Sequence, residues 1–430
     1  MTGGPGDRQT SGALRRVPPR EVARRLRQAH SEDWDFRAGR ILGSLCTEPH
    51  PAGRRWLLPF LTANLGNPGL CPGTARLSEE LLEELLRLYH APPTGAGGWW
   101  VSGATEANVT ALWVFRNLTG GSEVVLPVSA HFSFVKALDL LGLKPRWVPV
   151  DPAGRMDLGK ARASLGRRTA ALVALAGSTE LGAVDPLEEL SALAVNAGVP
   201  LHVDAALGGF LLPFLPRRAR DRLPFDFRLP GVRSLAVDPH KLGRAPIPSG
   251  VLLFRHLAET ASIEVASPYL SDPRARGLLG TRFSASVAAT YATIRTLGAE
   301  GYRREARRLL RLTGWLVREG RRLGLEPVTE PTLNVVAFHH ENPTGVQAWM
   351  LERGWDVSAI ERPRGIRFAL MPHLREGSLP GLQKDLAAGL RRFPPRGEIA
   401  GPGRPGGRGG PARRTGRGSS ARKSAAGSAA

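Results

Sequence analysis

The chain has 430 residues, 42% of them hydrophobic and 23% charged, which at roughly 150 residues per domain gives two or three domains and enough apolar material for a real core. Peptide-hormone and disulfide-knot classes are excluded, and no uninterrupted apolar run approaches the ~18 residues of a bilayer span. The 59 Lys and Arg against 38 Asp and Glu leave a net charge of +21, which invites a nucleic-acid partner until the charge is located along the chain.

In chain order, residues 1–24 combine Gly3, Gly4, Pro5, Gly6, Pro18 and Pro19 with scattered arginine. They lack an apolar h-region, so they read as a loose arm and not as a secretory signal. Residues 25–90 form an N-terminal segment in which stretch 79–90 carries leucines at helical spacing. Apolar runs at 99–101, 123–128, 171–176, 200–204, 233–237 and 250–255 then read as buried strands. Between two of them, residues 186–197 read as a helix opened by Asp185 as N-cap, with Pro186 at its first position. This alternation over 91–284 predicts a large α/β domain built on a mostly parallel sheet.

Residues 285–323 predict a long helix broken at Gly298 and Gly301. Strands at 334–339 and 365–371 and helices at 344–353 and 380–393 complete a smaller α+β domain over 285–393. The remainder, 394–430, holds eight basic residues and one acid among Gly, Pro and Ser, and reads as a disordered basic tail. It has no aromatic residues to stack on bases, which weakens an RNA-binding reading. Elsewhere the excess charge is scattered arginine, since only six of the 59 basic residues are lysine. Cys46 and Cys71 form neither a C-x-x-C pair nor a disulfide framework, as expected of a reducing cytoplasm, and no metal cluster is visible.

Ligands of open α/β sheets sit beyond the carboxyl ends of the strands, so polar residues just after apolar runs come first. Four places qualify. Ser102-Gly103-Ala104-Thr105-Glu106-Ala107-Asn108 follows the run at 99–101, and Ser129-Ala130-His131-Phe132-Ser133 follows 123–128. Asp204-Ala205-Ala206 closes the run at 200–204, and Asp238-Pro239-His240-Lys241 follows 233–237. Each alone has an ordinary explanation as a cap, a turn or a surface charge. Together, an Asp, a Lys 37 residues later, a small-residue helix start and an intervening His form the set that binds pyridoxal phosphate.

The chain resembles fold-type I pyridoxal-phosphate enzymes of the group II decarboxylase family, and within it the archaeal-type L-tyrosine/L-aspartate decarboxylase branch. The likeness runs over roughly residues 30–393. Beside the four places above, it rests on Asn64-Leu65-Gly66-Asn67-Pro68-Gly69-Leu70, Gly177-Ser178-Thr179-Glu180-Leu181-Gly182, His202-Val203-Asp204, Leu279-Gly280-Thr281-Arg282 and Met371-Pro372-His373.

The resemblance implies that Lys241 binds the aldehyde of pyridoxal 5'-phosphate, with a partly desolvated amine able to lose its proton near neutrality. It implies that Asp204 pairs with the ring nitrogen, that Ala206 and His131 lie against the two ring faces, and that Thr179 bonds the phenolic oxygen or a neighbouring carboxylate. Gly103, Ala104 and Thr105 would offer backbone N–H groups to the phosphate at a helix N-terminus, with His240 as a further donor. The loop at Gly280-Thr281 would reach the phosphate of a partner subunit, which implies a homodimer with shared sites. Relatives of this kind read Ser-Gly-Gly-Thr where this chain has Ala104. Alanine is harmless there if the position already lies in the first helical turn, which is the favoured expectation, and costs ~1 kcal/mol if it is left-handed.

The family resemblance favours decarboxylation, with Arg367 matching the small-domain arginine that faces the substrate. L-Aspartate, giving β-alanine and CO2 for coenzyme A synthesis, is the expected substrate, with Arg244, Arg282 and Arg367 as candidates for its second carboxylate. L-Tyrosine, the substrate tied to methanofuran synthesis in methanogens, remains the alternative. A carbon–carbon lyase acting on phosphorylated sphingoid bases shares the cofactor set, and a basic nucleic-acid-binding protein is the reading from charge alone.

Overall fold

The structure is a computed structural model that describes residues 16–395. The basic tail expected at 394–430 and most of the arm expected at 1–24 therefore lie outside the described residues. The arm's expected end at residue 24 falls inside helix α1 (Pro19–Glu32), which buries none of its side chains. Proline at its first position and Glu21 bonded to both Arg24 and Arg25 stabilise it locally.

Two short-to-medium helices follow, α2 (Pro51–Leu57) and α3 (Pro72–Leu88). Thr74, Ser78, Leu81 and Leu85 recur every three to four residues and form the buried stripe of α3. The large unit then alternates as its apolar pattern dictates: β1 (Gly97–Val101), α4 (Ala104–Thr119), β2 (Glu123–Pro127), α5 (Ser133–Leu141), β3 (Lys144–Val148), α6 (Leu158–Ser164) and β4 (Thr169–Leu175). It continues through α7 (Leu187–Ala197), β5 (Leu201–Asp204), α8 (Arg217–Asp221), β6 (Val232–Val237), β7 (Gly250–Phe254) and the small hairpin β8 (Val265–Ala266) with β9 (Arg274–Ala275).

Seven strands form one sheet in the order β1-β7-β6-β5-β4-β2-β3. Only β7 runs against its neighbours, so the sheet is mostly parallel, as the alternation predicted. Every residue of β2, β4, β5 and β7 is buried, which is why each reads as a continuous apolar run. Edge strand β3 carries Lys144, Pro145 and Arg146 in exposed positions and has no such signal.

The part of the same compact unit that carries the second sheet begins with α9 (Ala285–Arg322), whose 38 residues are interrupted at Gly298 (φ 57°), while Gly301 stays helical. Strands β10 (Val335–His339), β11 (Ser358–Glu361) and β12 (Arg364–Ala369) form an antiparallel sheet in the order β10-β12-β11. Helices α10 (Pro343–Glu352) and α11 (Leu379–Arg392) complete it. The segment before α2 is built into this part: Leu42 donates to Asp356 O at 2.7 Å, accepts from Ala369 N at 2.6 Å, and shares a core with Trp355, Phe338 and Phe368. Among the described residues no helix is long and apolar enough to cross a membrane.

Asp185 departs from its expected role. Pro186 is the N-cap of α7, without a capping side chain, and the buried Asp185 carboxylate instead accepts from Met156 N at 2.7 Å and Leu175 N at 2.8 Å. It thereby ties the end of β4 to the loop before α6. Asp185→Ala leaves two buried N–H groups without acceptors, and we expect urea unfolding to show a stability loss of about 2–4 kcal/mol. Unchanged stability would contradict this assignment.

Candidate active site

The carboxyl ends of β1, β2, β4, β5 and β6 open on one side of the large sheet, where a cavity of about 330 Å3 lies. Gly103, Ala104, Thr105, His131, Thr179, Asp204, Ala206, His240 and Lys241 all line it. Residues spread over 139 positions of sequence thus meet at one place because parallel strands deliver their ends to a common edge.

Lys241 sits in the turn after β6, where its backbone N–H bonds Asp238 O at 3.1 Å. Its Nζ lies 3.1 Å from Asp238 Oδ2. Burial works against the charged amine, yet Asp238 and Asp204 outweigh it and hold the Lys241 pKa above the ordinary lysine value. The expected loss of the proton near neutrality is therefore corrected: the free site favours the ammonium. The other oxygen of Asp238 accepts from Ala104 N at 2.8 Å, so Asp238 joins the lysine to the start of α4.

That bond also corrects the expectation for Ala104, whose N–H is engaged by Asp238. Ala104 is the first residue of α4 and lies in right-handed backbone, so alanine fits where relatives carry glycine. Beside it the chain needs true glycine: a Cβ on Gly250 at the start of β7 would stand 2.5 Å from Gly103 Cα. Gly177, at φ 115° after β4, is needed for its conformation and because a Cβ would meet Leu333 at 2.9 Å. Glu106 reaches back to accept from Ser102 N at 2.7 Å and closes the first turn of α4.

Asp204, the last residue of β5, accepts from Ala206 N at 3.0 Å through Oδ1 and from Asn108 Nδ2 at 2.9 Å through Oδ2. His131 accepts from Ser133 N at 3.2 Å through Nδ1, which leaves the hydrogen of the neutral ring on Nε2. Burial, more than its charged neighbours, holds the His131 pKa below the ordinary histidine value. His240 donates from Nδ1 to Ser249 O at 2.6 Å, so its Nε2 is a donor only when the imidazole carries both protons.

Two expected site residues stand elsewhere. Thr281 lines a separate cavity of about 410 Å3 with Arg282 and Glu106, which shares Ser102 with the first. Arg367 on β12 is buried and does not line the first cavity: its Nη1 donates at 3.0 Å to Gly43 O, two residues before the lining residue Leu45, and at 3.0 Å to Ser358 Oγ. Its Nε is buried without a hydrogen-bond partner among the described residues, as is Oε2 of Glu180, the residue after wall residue Thr179. Arg244 and Arg282 do not line the Lys241 cavity either. The guanidinium of Arg282 bonds Arg276 O.

Asp238 and Asn108 were not singled out from sequence. Asp238 had the available signal, a carboxylate directly after an apolar run in the same four residues as Lys241. Asn108 lies one helical turn past Ala104, and only the packing of α4 on β5 gives it a partner.

The pyridoxal-dependent decarboxylase conserved domain matches residues 70–341, and the chain belongs to that family. It is an enzyme that decarboxylates an amino acid with pyridoxal 5'-phosphate. It is 44% identical over 363 residues to the "Probable L-tyrosine/L-aspartate decarboxylase" of Methanothrix thermoacetophila, covering 84% of this chain and 93% of that protein. It is 42% identical over 348 residues to the "Probable L-aspartate decarboxylase" of Pyrococcus furiosus, covering 80% and 93%. A solved sphingosine-1-phosphate lyase from Burkholderia pseudomallei superposes with a TM-score of 0.80 at 27% identity, over 88% of this chain and 92% of that one.

The cavity fits the cofactor. It presents one amine for an aldehyde, a carboxylate for a ring nitrogen, a helix N-terminus for a phosphate, and a floor kept low by Ala206 and Gly103. Because Asp238 stabilises the Lys241 ammonium, attachment of pyridoxal phosphate should quicken as pH rises, since only the neutral amine attacks the aldehyde. Asp238→Asn can still accept from Ala104 N but removes the charge, so burial dominates and the profile should move to lower pH. Stopped-flow absorbance measures it, and an unmoved profile would contradict the pairing.

Proposed function

We propose that this enzyme removes the α-carboxyl group of L-aspartate, giving β-alanine and CO2, in the cavity around Lys241. The names of both relatives above carry the reading, since each includes L-aspartate, and Arg367, which stands outside the cavity lining, adds to it. Its buried Nε has no acceptor among the described residues, while Gly43 O and Ser358 Oγ hold Nη1, and Gly43 lies two residues before the lining residue Leu45. Where substrate binding opens the cavity towards Arg367, the β-carboxylate of L-aspartate, which L-tyrosine lacks, would supply that acceptor.

When bound, pyridoxal 5'-phosphate supplies a ring that accepts the electron pair released as the α-carboxyl group leaves. Lys241 provides the amine that holds the aldehyde, and Asp204 provides the negative charge facing the ring nitrogen. His131 and Ala206 flank the ring and exclude water from its faces, and Thr179 bonds its phenolic side. Gly103 and Thr105 hold the phosphate at the start of α4, with His240 beside them. Once the substrate's amino group has displaced it from the aldehyde, Lys241 Nζ, whose charged form Asp238 and Asp204 favour, would return a proton to the α-carbon after CO2 departs.

The assembly we propose is a homodimer in which Thr281 completes the partner subunit's phosphate site. Exposed Leu61, Leu279 and Phe283 around that loop support it, since a monomer would leave them in water. The two free cysteines support a cytoplasmic location. A second reading, L-tyrosine to tyramine, is favoured by one observation: among the described residues, Lys241 is the one lysine or arginine lining the cavity.

The test is kcat/KM for CO2 release over L-aspartate, L-tyrosine and L-glutamate. L-Aspartate should lead by at least roughly tenfold, and Arg367→Ala should raise its KM. A lead for L-tyrosine, untouched by Arg367→Ala, would sink the aspartate reading.

A further inference from the structure

Behind Asp204 a row of polar side chains runs through the apolar core without lining the cavity. Asn108 donates from Nδ2 to Asp204 Oδ2 at 2.9 Å and to Ser133 Oγ at 3.0 Å. Its Oδ1 accepts from His202 Nε2 at 2.9 Å, and His202 Nδ1 accepts from Ser234 Oγ at 2.7 Å. Asn108, Ser133, His202 and Ser234 are each 0% exposed.

The directions of these bonds are forced. A carboxylate only accepts, so Asn108 turns its amide nitrogen to Asp204 and its carbonyl to His202. That carbonyl requires a hydrogen on Nε2, and the neutral ring is left with Nδ1 as the acceptor for the Ser234 hydroxyl. Burial lowers the His202 pKa to about 4, so the ring stays neutral at physiological pH. The topology supplies the alignment: His202 and Asp204 share one face of β5, and Ser234 on β6 stands in register with His202. Apolar residues would fill these four positions without any need for partners, so a fully bonded row is a specification of geometry.

We infer that Asn108, oriented by His202 and Ser234, is a positioning residue that fixes the Asp204 carboxylate and, through Ser133, the turn that carries His131. One amide thereby sets the spacing between the group facing the cofactor's ring nitrogen and the group covering its face. The inference rests on the proposed roles of Asp204 and His131.

The test measures the dissociation constant of pyridoxal 5'-phosphate and the absorption maximum of the bound cofactor in full-length wild type, Asn108→Ala, Ser234→Ala, Ser234→Thr and Asp204→Ala. Asn108→Ala should weaken binding roughly tenfold, the effect of one lost buried hydrogen bond, and displace the maximum. Ser234→Ala touches neither Asp204 nor the cavity, yet should shift both readouts in the same direction by a smaller factor, because His202 Nδ1 loses its donor and the ring is held less firmly against Asn108. Ser234→Thr, which keeps the hydroxyl, should restore them. If Asn108→Ala does not fold, Ser234→Ala decides the matter, its change being the loss of one oxygen. Binding within about twofold of wild type and an unmoved maximum in Ser234→Ala and Asn108→Ala, with Asp204→Ala impaired, would overturn the positioning role alone. An unimpaired Asp204→Ala would overturn the reading of Asp204, and this inference with it.

Discussion

Lys241→Ala is expected to lower the rate of CO2 release by roughly ten-thousandfold, the scale seen when a covalent participant is removed from a site that otherwise stays assembled. The loss should appear in kcat. The substrate contact proposed for Arg367 would survive the change, so KM should move little. The fold should tolerate it, since Lys241 lines a cavity and its main partner, Asp238, keeps the Ala104 N–H. Borohydride should no longer fix the cofactor to the protein in the same variant, while the melting temperature stays near wild type. Retained CO2 release with a stable fold would remove Lys241 from the chemistry.

The second large effect is expected at Asp204. Asp204→Asn keeps the shape and one oxygen but loses the charge that favours a protonated ring nitrogen, and kcat should fall roughly a hundred- to a thousandfold. Asp204→Ala should be worse, because it also strands Asn108 Nδ2 and Ala206 N, which both donate to this carboxylate. The order Asp204→Asn above Asp204→Ala separates charge from hydrogen bonding. Equal, mild effects in steady-state kinetics would mean that the carboxylate is structural only.

Lys241, Asp204, His131 and His240 could be placed from the sequence because each follows an apolar run, and parallel strands bring such positions to one edge. Runs such as 171–176 were legible for the same reason: burial on both faces leaves no room for polar residues in β4. Strand β3 was not legible, because an edge position admits Lys144, Pro145 and Arg146. Helix α1 was hidden by its arginine, which in this chain is too abundant to mark anything. Asp185 looked like a cap because helix caps and buried loop ties use the same residue type, and the choice depends on where Met156 and Leu175 present their N–H groups. The state of Lys241 was missed for a related reason: burial was visible in the strand pattern, whereas the facing carboxylate of Asp238 depended on how the turn after β6 closes. Arg367 could be picked from a short motif, but its position outside the cavity lining depends on Gly43, 324 positions away, docking onto β12 beside Ser358.

Whether the Lys241 cavity is the catalytic centre comes down to one measurement, the site of covalent cofactor attachment. Enzyme loaded with pyridoxal 5'-phosphate is reduced with borohydride, digested and analysed by mass spectrometry. The reduced cofactor's mass should appear on the peptide containing Lys241 and on none of the other five lysines. Its appearance on a different lysine, or on none, would contradict the placement of the chemistry at this cavity.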